Sequence, residues 1–348
     1  MVRCSVATLT VVIVTHDSRQ ALGATVPALV EQLRAGDELI VVDNASADGT
    51  AAAVRELAPG ATVIETGANL GFAAACNRGA DRAEGELLCL LNPDAVPQAG
   101  WREAIERPLA AGSGWSAWQA LVTADDGRTV NTRGGVVHFT GIAWAGGAGE
   151  PADDPSVRTG SEPGFVSGAC LAIPRRRYLE AGGLADRFFL YHEDVDLSLR
   201  LRLAGATLGV EPTARVDHSY EFAKGPLKWR YLERNRWATL VRTYPAALLA
   251  LLVPALLATE LALVVVAAAG GWLPQKLAAW GETLVAMPRL LRERRAIQDS
   301  RAIGADEFAA ALTNDLDSPY LGAAARSRAL RLALRAYWAI VTRVLDAR

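Results

Sequence analysis

Residues 9–15, LTVVIVT, and 38–44, ELIVVDN, are apolar runs that each end on polar side chains. They lack the strict alternation of apolar and polar positions that a half-exposed strand shows. Continuously apolar strands of this kind are typical of parallel sheets that helices cover on both faces. We therefore predict that both runs are strands of a parallel sheet.

Segments with helical character separate the apolar runs near the start of the chain. Residues 18–35 are helix-like apart from Pro27, and a second helix is expected near residue 50, behind the capping-type side chains of Ser46 and Asp48. The series continues with ATVIET (61–66) as a strand, GFAAACNRGADRA (71–83) as a helix and ELLCLLN (86–92) as a strand. This alternation predicts an α/β domain with a Rossmann-like, mostly parallel sheet and helices on both faces.

The composition narrows the class of protein. The chain has 348 residues, which is enough for one large domain and an additional part. Its formal net charge of −2 gives no general attraction to nucleic acid. We interpret the apolar start as the first strand rather than a signal peptide, because polar residues interrupt it. The cysteines form no CxxC pair, so we expect reduced, buried thiols facing the cytosol rather than disulfides or a zinc site, at Cys4, Cys76, Cys89 and Cys170.

Polar residues at the ends of three predicted strands mark a candidate site. Thr15 ends the first strand, Asp43 and Asn44 end the second, and Asn92 and Asp94 follow the fourth. Open parallel sheets bind ligands at the carboxyl ends of their strands, which makes these side chains candidates for ligand binding. Capping of the following helix is the alternative for each of them.

An acidic segment follows aromatic residues in FFLYHEDVDLSLRLRLAG (188–205). Its alternating apolar residues indicate a strand, whereas its Leu, Arg and Ala content and a stop at Gly205 favour a helix. We predict a helix with Glu193 and Asp194 at its N-terminus, where the helix dipole stabilises anions. Burial behind the aromatic residues would raise the pKa of these carboxyls. Residues 112–165 are glycine-rich, and we interpret them as short strands and a mobile connection.

Seven stretches, taken in order, resemble the motifs of family 2 glycosyltransferases, in particular rhamnosyltransferase-type members that act on lipid-linked acceptors. The resemblance covers about residues 5–240 and extends more loosely through YLERNRWATLVRTYP and LLRERRAIQ. It implies the GT-A fold, in which a nucleotide-sugar-binding α/β domain is joined to an acceptor-binding half. The seven stretches are VTHDS, VVDNASADGT, NLGFAAACNRG, LLNPDA, FVSGACLAIPR, FFLYHEDVDLSLRLRLAG and VEPTARVDH.

The resemblance implies a set of residues that bind the nucleotide-sugar. Asp43 matches the acid that contacts the base or ribose, and Thr15 matches a residue whose backbone lines the base pocket. Arg78 matches a position near the diphosphate, and a solvated helix residue is the equal alternative. The remaining matches to this site are Asn44, Asn69, Asn77 and Asn92.

The resemblance also implies a divalent metal, Mn²⁺ or Mg²⁺. Asn92-Pro93-Asp94 matches the metal-binding DXD motif, with Asn92 in place of the first acid. A cation on Asp94 would neutralise the charge that grows on the diphosphate leaving group. His218 matches a late histidine ligand, which suits manganese better than magnesium. A hydrogen-bonded histidine near a strand end is the alternative for His218.

The same resemblance assigns the catalytic step to Glu193 and Asp194. Asp194 matches the base that removes the proton of the acceptor hydroxyl, and we interpret Glu193 as an orienting, acceptor-binding partner. One base and one direct displacement predict inversion of the anomeric configuration. We assign acceptor binding to Gly168, Ala169, Arg234 and Arg236.

Other functions remain open on the residues alone. Paired carboxylates also serve glycoside hydrolysis, and the strand–helix alternation also fits a nicotinamide dehydrogenase, although no GxGxxG follows the first strand. A membrane-anchored nucleotide-binding scaffold is a non-enzymatic alternative. Within the transferase hypothesis, dTDP-L-rhamnose is the favoured donor, and UDP-galactofuranose, UDP-hexoses and N-acetylhexosamine donors are alternatives. The expected acceptor is a lipid-linked polyprenyl diphosphate glycan of cell-envelope assembly, and a homo-oligomer is possible.

A membrane-associated region is expected after the catalytic domain. We divide the chain into a GT-A domain at 1–225, with halves at about 1–110 and 111–225, and a helical, basic region at 226–348. Residues 246–271 are long and apolar enough to span a bilayer. From Trp272 onward the chain has 12 Lys and Arg against 8 Asp and Glu, and a crossing would export this basic tail against the positive-inside tendency.

We therefore predict that the apolar run enters the membrane and returns, bending at Pro254, or lies along the surface at the cytoplasmic face of the plasma membrane. The final helix is expected to present a stripe from Leu330 to Val344 to that surface. A simple transmembrane span and a buried hairpin or dimer interface in a soluble protein are the alternatives.

Overall fold

A computed structural model describes residues 7–159, 162–218, 225–317 and 327–347. The chain forms two compact units. The first comprises residues 1–135, 145–198 and 207–220, and the second comprises 136–144, 199–206 and 221–348. The sequence-based division drew one limit after residue 225, whereas two short segments of the expected catalytic domain cluster with the helical unit.

The first unit contains the large sheet. Its strands are β1 (Leu9–Thr15), β2 (Glu38–Asp43), β3 (Thr62–Glu65), β4 (Leu87–Leu91), β5 (Ala95–Pro97), β6 (Trp115–Ala124) and β7 (Thr129–Thr132), followed by β10 (Cys170–Pro174) and β11 (Thr207–His218). Two short strands, β8 (Gly135–Val137) and β9 (Ala143–Ala145), form a separate ribbon. The helices are α1 (Arg19–Val30), α2 (Thr50–Leu57), α3 (Phe72–Arg82), α4 (Trp101–Ala110), α5 (Arg175–Glu180) and α6 (Glu193–Leu203).

The strand order brings distant parts of the chain to one sheet edge. Among the described residues the order is β3-β2-β1-β4-β10-β6-β11-β5, with β7 beside β6. The pairs β3–β2, β2–β1 and β1–β4 are parallel, β10 is antiparallel to β4 and β6, and β11 is parallel to β6. The carboxyl ends of β1, β2, β4 and β11 therefore share an edge with the start of β10.

The predicted α/β alternation of the N-terminal part is confirmed. All seven residues of β1 and all five of β4 are buried, as continuously apolar strands require. Pro27 lies within α1 without ending it. Cys76, Cys89 and Cys170 are buried free thiols, as predicted, and Cys4 lies outside the described residues.

The glycine-rich segment contains a longer strand than predicted. β6 has 10 residues and lies between β10 and β11, within the sheet. Gln119 interrupts its apolar pattern but is buried, and its side chain accepts from the Ser167 N–H at 2.8 Å and donates to the Thr132 carbonyl at 3.3 Å. Because its polar atoms are satisfied internally, Gln119 costs little in a buried strand.

The helix predicted in FFLYHEDVDLSLRLRLAG is confirmed as α6. Its alternating apolar residues, from Val195 to Leu203, are all buried. A helix that is buried around its circumference loses the usual 3.6-residue pattern, which explains why the sequence was ambiguous. Gly205 follows with φ +79°, a left-handed conformation that suits the end of a helix.

The second unit is mainly helical. Its helices are α7 (Leu227–Thr243), α8 (Ala246–Ala269), α9 (Leu273–Asp299), α10 (Ala305–Ala310) and a C-terminal helix, α11 (Arg328–Asp346). Among the described residues α8 is the one helix that is long and apolar enough to cross a membrane, with 24 residues and a mean hydropathy of 2.5.

Two details of the predicted membrane region differ in the structure. Pro254 lies inside α8 and does not interrupt it, so the apolar run contains no internal return. The stripe predicted for α11 is partly used for packing, because Val341 is buried and the Trp338 ring stacks on Phe139 with centroids 4.9 Å apart.

Candidate active site

The ends of β1 and β2 form a buried polar group. β1 pairs with β2 so that Thr15 lies opposite Asp43. Thr15 Oγ1 donates to Asp43 Oδ1 at 3.1 Å, and the Ser46 N–H donates to Asp43 Oδ2 at 3.3 Å. The Asp43 carboxylate is therefore fixed at the sheet edge before any ligand arrives.

Asn44 and Asn69 order the loop that follows β3. Asn44 Nδ2 donates to Asn69 Oδ1 at 2.9 Å and to the Gly71 carbonyl at 3.3 Å, and Asn44 Oδ1 accepts from the Leu70 N–H at 2.8 Å. Asn69 Oδ1 also accepts from the Gly71 N–H at 3.0 Å. The structure thus gives both amides a role in loop order, and their binding of nucleotide stays a prediction.

Asn77 and Arg78 lie on neighbouring positions of α3 with different surroundings. Asn77 Nδ2 donates to the Leu184 carbonyl at 2.7 Å, and Asn77 Oδ1 accepts from the Tyr178 hydroxyl at 2.6 Å. These bonds tie α3 to the segment before α6. Arg78 is exposed. The nucleotide-binding roles of both residues stay predictions.

Asp94 and His218 meet although 124 residues separate them in the chain. β5 pairs with β11 so that Ala95 lies opposite His218, which brings the preceding Asp94 beside the imidazole. His218 Nε2 lies 3.1 Å from Asp94 Oδ1 and 3.4 Å from Asn92 Nδ2. A carboxylate oxygen and an imidazole nitrogen in contact are donors that suit a divalent transition-metal ion.

The described residues hold no group of three or more His, Cys, Asp and Glu that could bind a metal. The structure brings the two predicted ligands, Asp94 and His218, together, and metal binding itself stays a prediction.

Asp194 lies at the start of α6 and is held by backbone donors. The Gly168 N–H donates to Asp194 Oδ2 at 3.1 Å, and the Val195 N–H donates to Asp194 Oδ1 at 2.8 Å. Gly168 precedes β10, whose start lies at the sheet edge described above. Desolvation raises the pKa of Asp194 above its ordinary value. The backbone hydrogen bonds oppose this rise, and the bond from Gly168 has the largest opposing effect.

Glu193 differs from Asp194 in its exposure. Its side chain is buried at 5% exposure, whereas Asp194 is half-buried. Desolvation raises the pKa of Glu193 well above its ordinary value, and the neighbouring Asp194 raises it further. Because Glu193 is buried, little of its side chain is accessible to an acceptor.

The other predicted acceptor residues fall in two places. Ala169 is buried at the start of β10, where its carbonyl accepts from the Asn92 N–H at 3.0 Å. Arg234 and Arg236 belong to the second unit. Arg236 is buried and its guanidinium pairs with Glu260, while Arg234 pairs with Glu282 at 3.3 Å. These ion pairs account for both side chains, and acceptor binding by them stays a prediction.

Gly71 and Phe72 are contacts of the site that the sequence reasoning missed. The Phe72 N–H donates to the Phe189 carbonyl at 2.6 Å, which joins the start of α3 to the segment before Asp194. The available signal was the pair Gly71-Phe72 inside NLGFAAACNRG, to which the resemblance gave no role.

Comparisons with known proteins agree with this arrangement. A model of the family described as Glycosyl transferase family 2 matches residues 10–142. The N-acetylglucosaminyl-diphospho-decaprenol L-rhamnosyltransferase of Mycobacterium tuberculosis is 31% identical over 214 residues, which cover 54% of this chain and 68% of the relative. The same protein from a second strain of that organism matches equally.

Solved glycosyltransferase structures share the fold. GalNAc-T7, crystallised with UDP, GalNAc and Mn²⁺, superposes with a TM-score of 0.55 at 16% identity, covering 70% of this chain and 49% of the other. S. aureus TarS superposes with a TM-score of 0.53 at 14% identity, covering 98% of this chain and 55% of TarS. This chain thus spans about half the length of each solved chain. The predicted GT-A fold is confirmed, and the chain belongs to glycosyltransferase family 2, with rhamnosyltransferase-like relatives.

Proposed function

We propose that this glycosyltransferase moves a sugar from a nucleotide-sugar to a lipid-linked diphosphate acceptor, with inversion of the anomeric centre. The favoured donor is dTDP-L-rhamnose, because the M. tuberculosis relative is an L-rhamnosyltransferase with a diphospho-decaprenol acceptor in its name. The observation that carries the proposal is one sheet edge that holds three groups with complementary chemistry: Thr15–Asp43, Asp94–His218 and Asp194.

Asp194 acts as the general base in this proposal. Its carboxylate accepts the proton of the acceptor hydroxyl as that oxygen bonds to the anomeric carbon, and the nucleoside diphosphate leaves with the electron pair of the broken bond. A single displacement from the opposite face inverts the configuration. The two backbone donors to Asp194 keep its carboxylate oriented without neutralising it.

Glu193 acts through Asp194 in this proposal rather than on the acceptor, because it is buried. Desolvation, followed by the charge of Asp194, raises the pKa of Glu193 and so disfavours a second negative charge beside the base.

Asp94 and His218 would hold the divalent ion. Their donor atoms converge, and the nitrogen ligand favours Mn²⁺ over Mg²⁺. When bound, the ion would offset the negative charge that develops on the leaving diphosphate. Phosphate oxygens of the donor, water and a further ligand would complete the coordination of the ion. The Mn²⁺ and UDP in the GalNAc-T7 structure support the use of a divalent ion by a protein of this fold.

The test is a donor panel with the purified full chain. dTDP-L-rhamnose, UDP-galactofuranose, UDP-glucose and UDP-N-acetylglucosamine are each supplied with Mn²⁺ and a polyprenyl diphosphate N-acetylglucosamine acceptor. We expect release of dTDP and formation of a rhamnosylated lipid, both abolished by EDTA. Turnover of a different donor corrects the sugar assignment alone. Consumption of no nucleotide-sugar, together with thermal stabilisation by NAD or by no nucleotide, refutes the transferase proposal.

We also propose that α8 binds the cytosolic surface of a membrane through one side. Four residues at intervals of four form its outward face: Val253, Leu257, Leu261 and Val265 are 50%, 62%, 71% and 68% exposed. The opposite side buries Leu248, Leu252 and Leu256 in the first half of the helix, whereas Val266, on that side near the end of the helix, is 55% exposed. A soluble helix normally presents polar residues to water, so an exposed apolar face of this length requires a covering surface.

A bilayer surface is the covering that the charges favour. Glu260 is the sole charged residue of α8, and it pairs with Arg236 and Lys276 of the neighbouring helices. A helix that holds this ion cluster on one side lies along the membrane more readily than it crosses, because crossing would expose the cluster to the hydrocarbon core. The basic residues that follow, including Arg289 and Arg292, suit an anionic cytosolic leaflet.

Two measurements test this attachment. Leu261→Glu should lower co-flotation with vesicles of phosphatidylcholine and phosphatidylglycerol, whereas Leu179→Glu, at an exposed apolar residue of α5, should not. For sidedness, Ser300→Cys in intact cells should resist an impermeant thiol reagent. Labelling from outside would show a true span. Soluble dimers that break with Leu261→Glu, in a protein that does not float, would show a homo-oligomer interface.

A further inference from the structure

The segment before Asp194 has a strained backbone. Phe189, Tyr191 and His192 have φ values of 61°, 69° and 67°, although none is glycine. The Leu190 N–H donates to the Phe188 carbonyl at 2.6 Å, which closes a three-residue γ-turn around Phe189. A γ-turn with positive φ is rare and strained, and a bulky residue at its centre is more so. Such a conformation persists only where its surroundings hold it.

Gly71 and Phe72 hold this turn. The Phe72 N–H donates to the Phe189 carbonyl at 2.6 Å, so the γ-turn carbonyl is fixed by the first residue of α3. Gly71 itself has φ 82° and ψ 167°, a region that glycine alone adopts readily. A Cβ at Gly71 would lie 2.6 Å from the Phe189 carbonyl oxygen, 2.7 Å from its Cα and 2.5 Å from its ring Cδ2.

These distances leave no room for a side chain at position 71. Real Cβ contacts essentially never fall below 3.0 Å, and two of the three atoms belong to the Phe189 backbone. A flexible side chain could rotate away, but a backbone carbonyl and Cα move only if the turn moves. Any residue other than glycine would therefore displace the segment that leads into Glu193 and Asp194.

Phe72 also approaches the backbone group that binds Asp194. A Cβ at Gly168 would lie 3.3 Å from Phe72 Cε1, so the Phe72 ring stands directly against Gly168. The Gly168 N–H is the donor to Asp194 Oδ2. The Gly71-Phe72 pair thus touches both supports of Asp194: the turn that precedes it and the glycine that binds its carboxylate.

We propose that Gly71 is a positioning residue for Asp194, because its missing side chain lets the start of α3 hold the strained turn at Phe189 in place. The inference rests on the proposed role of Asp194 as the base. The Phe72 N–H binds the carbonyl of the turn, and the missing side chain at Gly71 leaves the space that the turn occupies. Neither residue needs to touch the substrate.

The experiment compares two glycines of the same loop. Gly71→Ala introduces the collision, whereas Gly67→Ala serves as the matched control, because Gly67 also has a positive φ of 71° but has no atom within 4 Å of an added Cβ. Turnover is measured with dTDP-L-rhamnose, or with the donor that the panel identifies, and binding is measured with dTDP and Mn²⁺. For Gly71→Ala we expect kcat to fall on the order of 100-fold, as for a misplaced catalytic group.

The split between binding and turnover distinguishes positioning from general damage. The Kd for dTDP and the donor KM should change no more than about threefold in Gly71→Ala if the ~100-fold loss lies in kcat. Gly67→Ala should change kcat by no more than about threefold. A Gly71→Ala enzyme with near-normal kcat, or one whose dTDP binding falls as far as its kcat, would overturn the proposal.

A second variant tests the contact itself. Phe189→Gly removes the ring and tolerates a positive φ. The double variant Gly71→Ala/Phe189→Gly should therefore regain part of the activity that Gly71→Ala alone loses. The loss of kcat in the double variant should therefore be smaller than the sum, in free energy, of the losses in the two single variants. Additive losses would contradict the contact between Gly71 and Phe189. Asp194→Asn is assayed beside them. If Asp194→Asn turns over normally, the base assignment fails and this inference fails with it. If Asp194→Asn is inactive while Gly71→Ala is normal, this inference alone fails.

Discussion

A buried charge cluster in the second unit offers a quantitative test of how α8 is held. Glu233 and Arg236 of α7, Glu260 of α8 and Lys276 of α9 form the cluster, with side-chain exposures of 9%, 2%, 12% and 0%. Lys276 Nζ donates to Glu233 at 2.5 Å and to Glu260 at 3.0 Å. The two acids and two bases cancel, so the cluster is neutral.

Glu260→Gln removes one negative charge from this neutral group. Arg236 and Lys276 then share the single carboxylate of Glu233, and one positive charge is left uncompensated in a buried position. Breaking a buried ion pair in this way costs about 3–5 kcal/mol, because the remaining charge keeps its desolvation penalty. The Trp280 indole N–H, which donates to Glu260 at 2.7 Å, can still donate to the amide oxygen. The charge therefore accounts for most of the expected loss.

The assay is thermal unfolding in mild detergent, followed by near-UV circular dichroism. Glu260→Gln should lower the Tm by roughly 10 °C, if each kcal/mol shifts it by a few degrees. Glu282→Gln is the control, because Glu282 is 30% exposed and its pairs with Arg230 and Arg234 are worth about 0–1 kcal/mol. The double variant Glu260→Gln/Lys276→Gln restores neutrality and should recover part of the loss. Equal Tm shifts for Glu260→Gln and Glu282→Gln would refute the burial of the cluster.

Three further predictions concern the candidate site. Asp194→Asn should keep dTDP binding and lower kcat by ~10²–10⁴-fold, as expected for a lost general base; near-normal turnover would contradict the assignment of Asp194 as the base. Asp94→Ala should abolish transfer and the Mn²⁺-dependent part of dTDP binding measured by calorimetry, and metal-stimulated transfer by this variant would contradict the ligand assignment. Glu193→Gln should raise the Tm above pH 4.5 and leave it unchanged below, because the folded protein holds a proton on Glu193 that the unfolded chain releases. A Tm difference that is independent of pH in fluorimetric scans would show that Glu193 is not protonated on folding.

Most of the N-terminal half of the fold could be predicted from the residue pattern of each segment alone. Runs such as LTVVIVT are apolar at most of their buried positions, so strand identity follows from composition and length. The polar residues that end these runs had to lie at one edge, because parallel strands share a direction. Thr15 and Asp43 both lie at that edge for this reason, and they are in contact because β1 pairs with β2 so that the two residues are opposite each other.

Long-range pairing decided the rest of the site. Asp94 and His218 meet because β5 pairs with β11, and nothing local to either residue specifies that pairing. The resemblance supplied the pair, but the physical reason is a strand register that forms only in the folded sheet. β6 was underestimated for a related reason: Gln119 looks unsuitable for a buried strand until Ser167 and Thr132 satisfy its amide.

The γ-turn at Phe189 lies beyond any local rule. Propensity places glycine, asparagine or aspartate at positive φ, and FFLYH contains none of them. The turn exists because the Phe72 N–H and the gap at Gly71 select it, and those groups lie more than a hundred residues earlier in the chain. Departures from local preference of this kind concentrate at functional sites, which is why the turn itself points to the base that follows it.

The orientation of α8 rests on a single side chain. Because α8 is apolar apart from Glu260, its hydrophobic pattern gives no preferred face, and the prediction of a return or a surface helix instead of a span rested on the basic residues that follow it. A lone carboxylate in such a helix needs a cationic partner, since an unpaired charge would be costly in either a protein core or a bilayer. Arg236 and Lys276 supply those partners and so fix which side of α8 faces inward. The opposite side is then the one left for the membrane. If Glu260 were replaced by leucine together with neutral residues at both partners, α8 would lose this constraint, and its rotation would be set by packing alone.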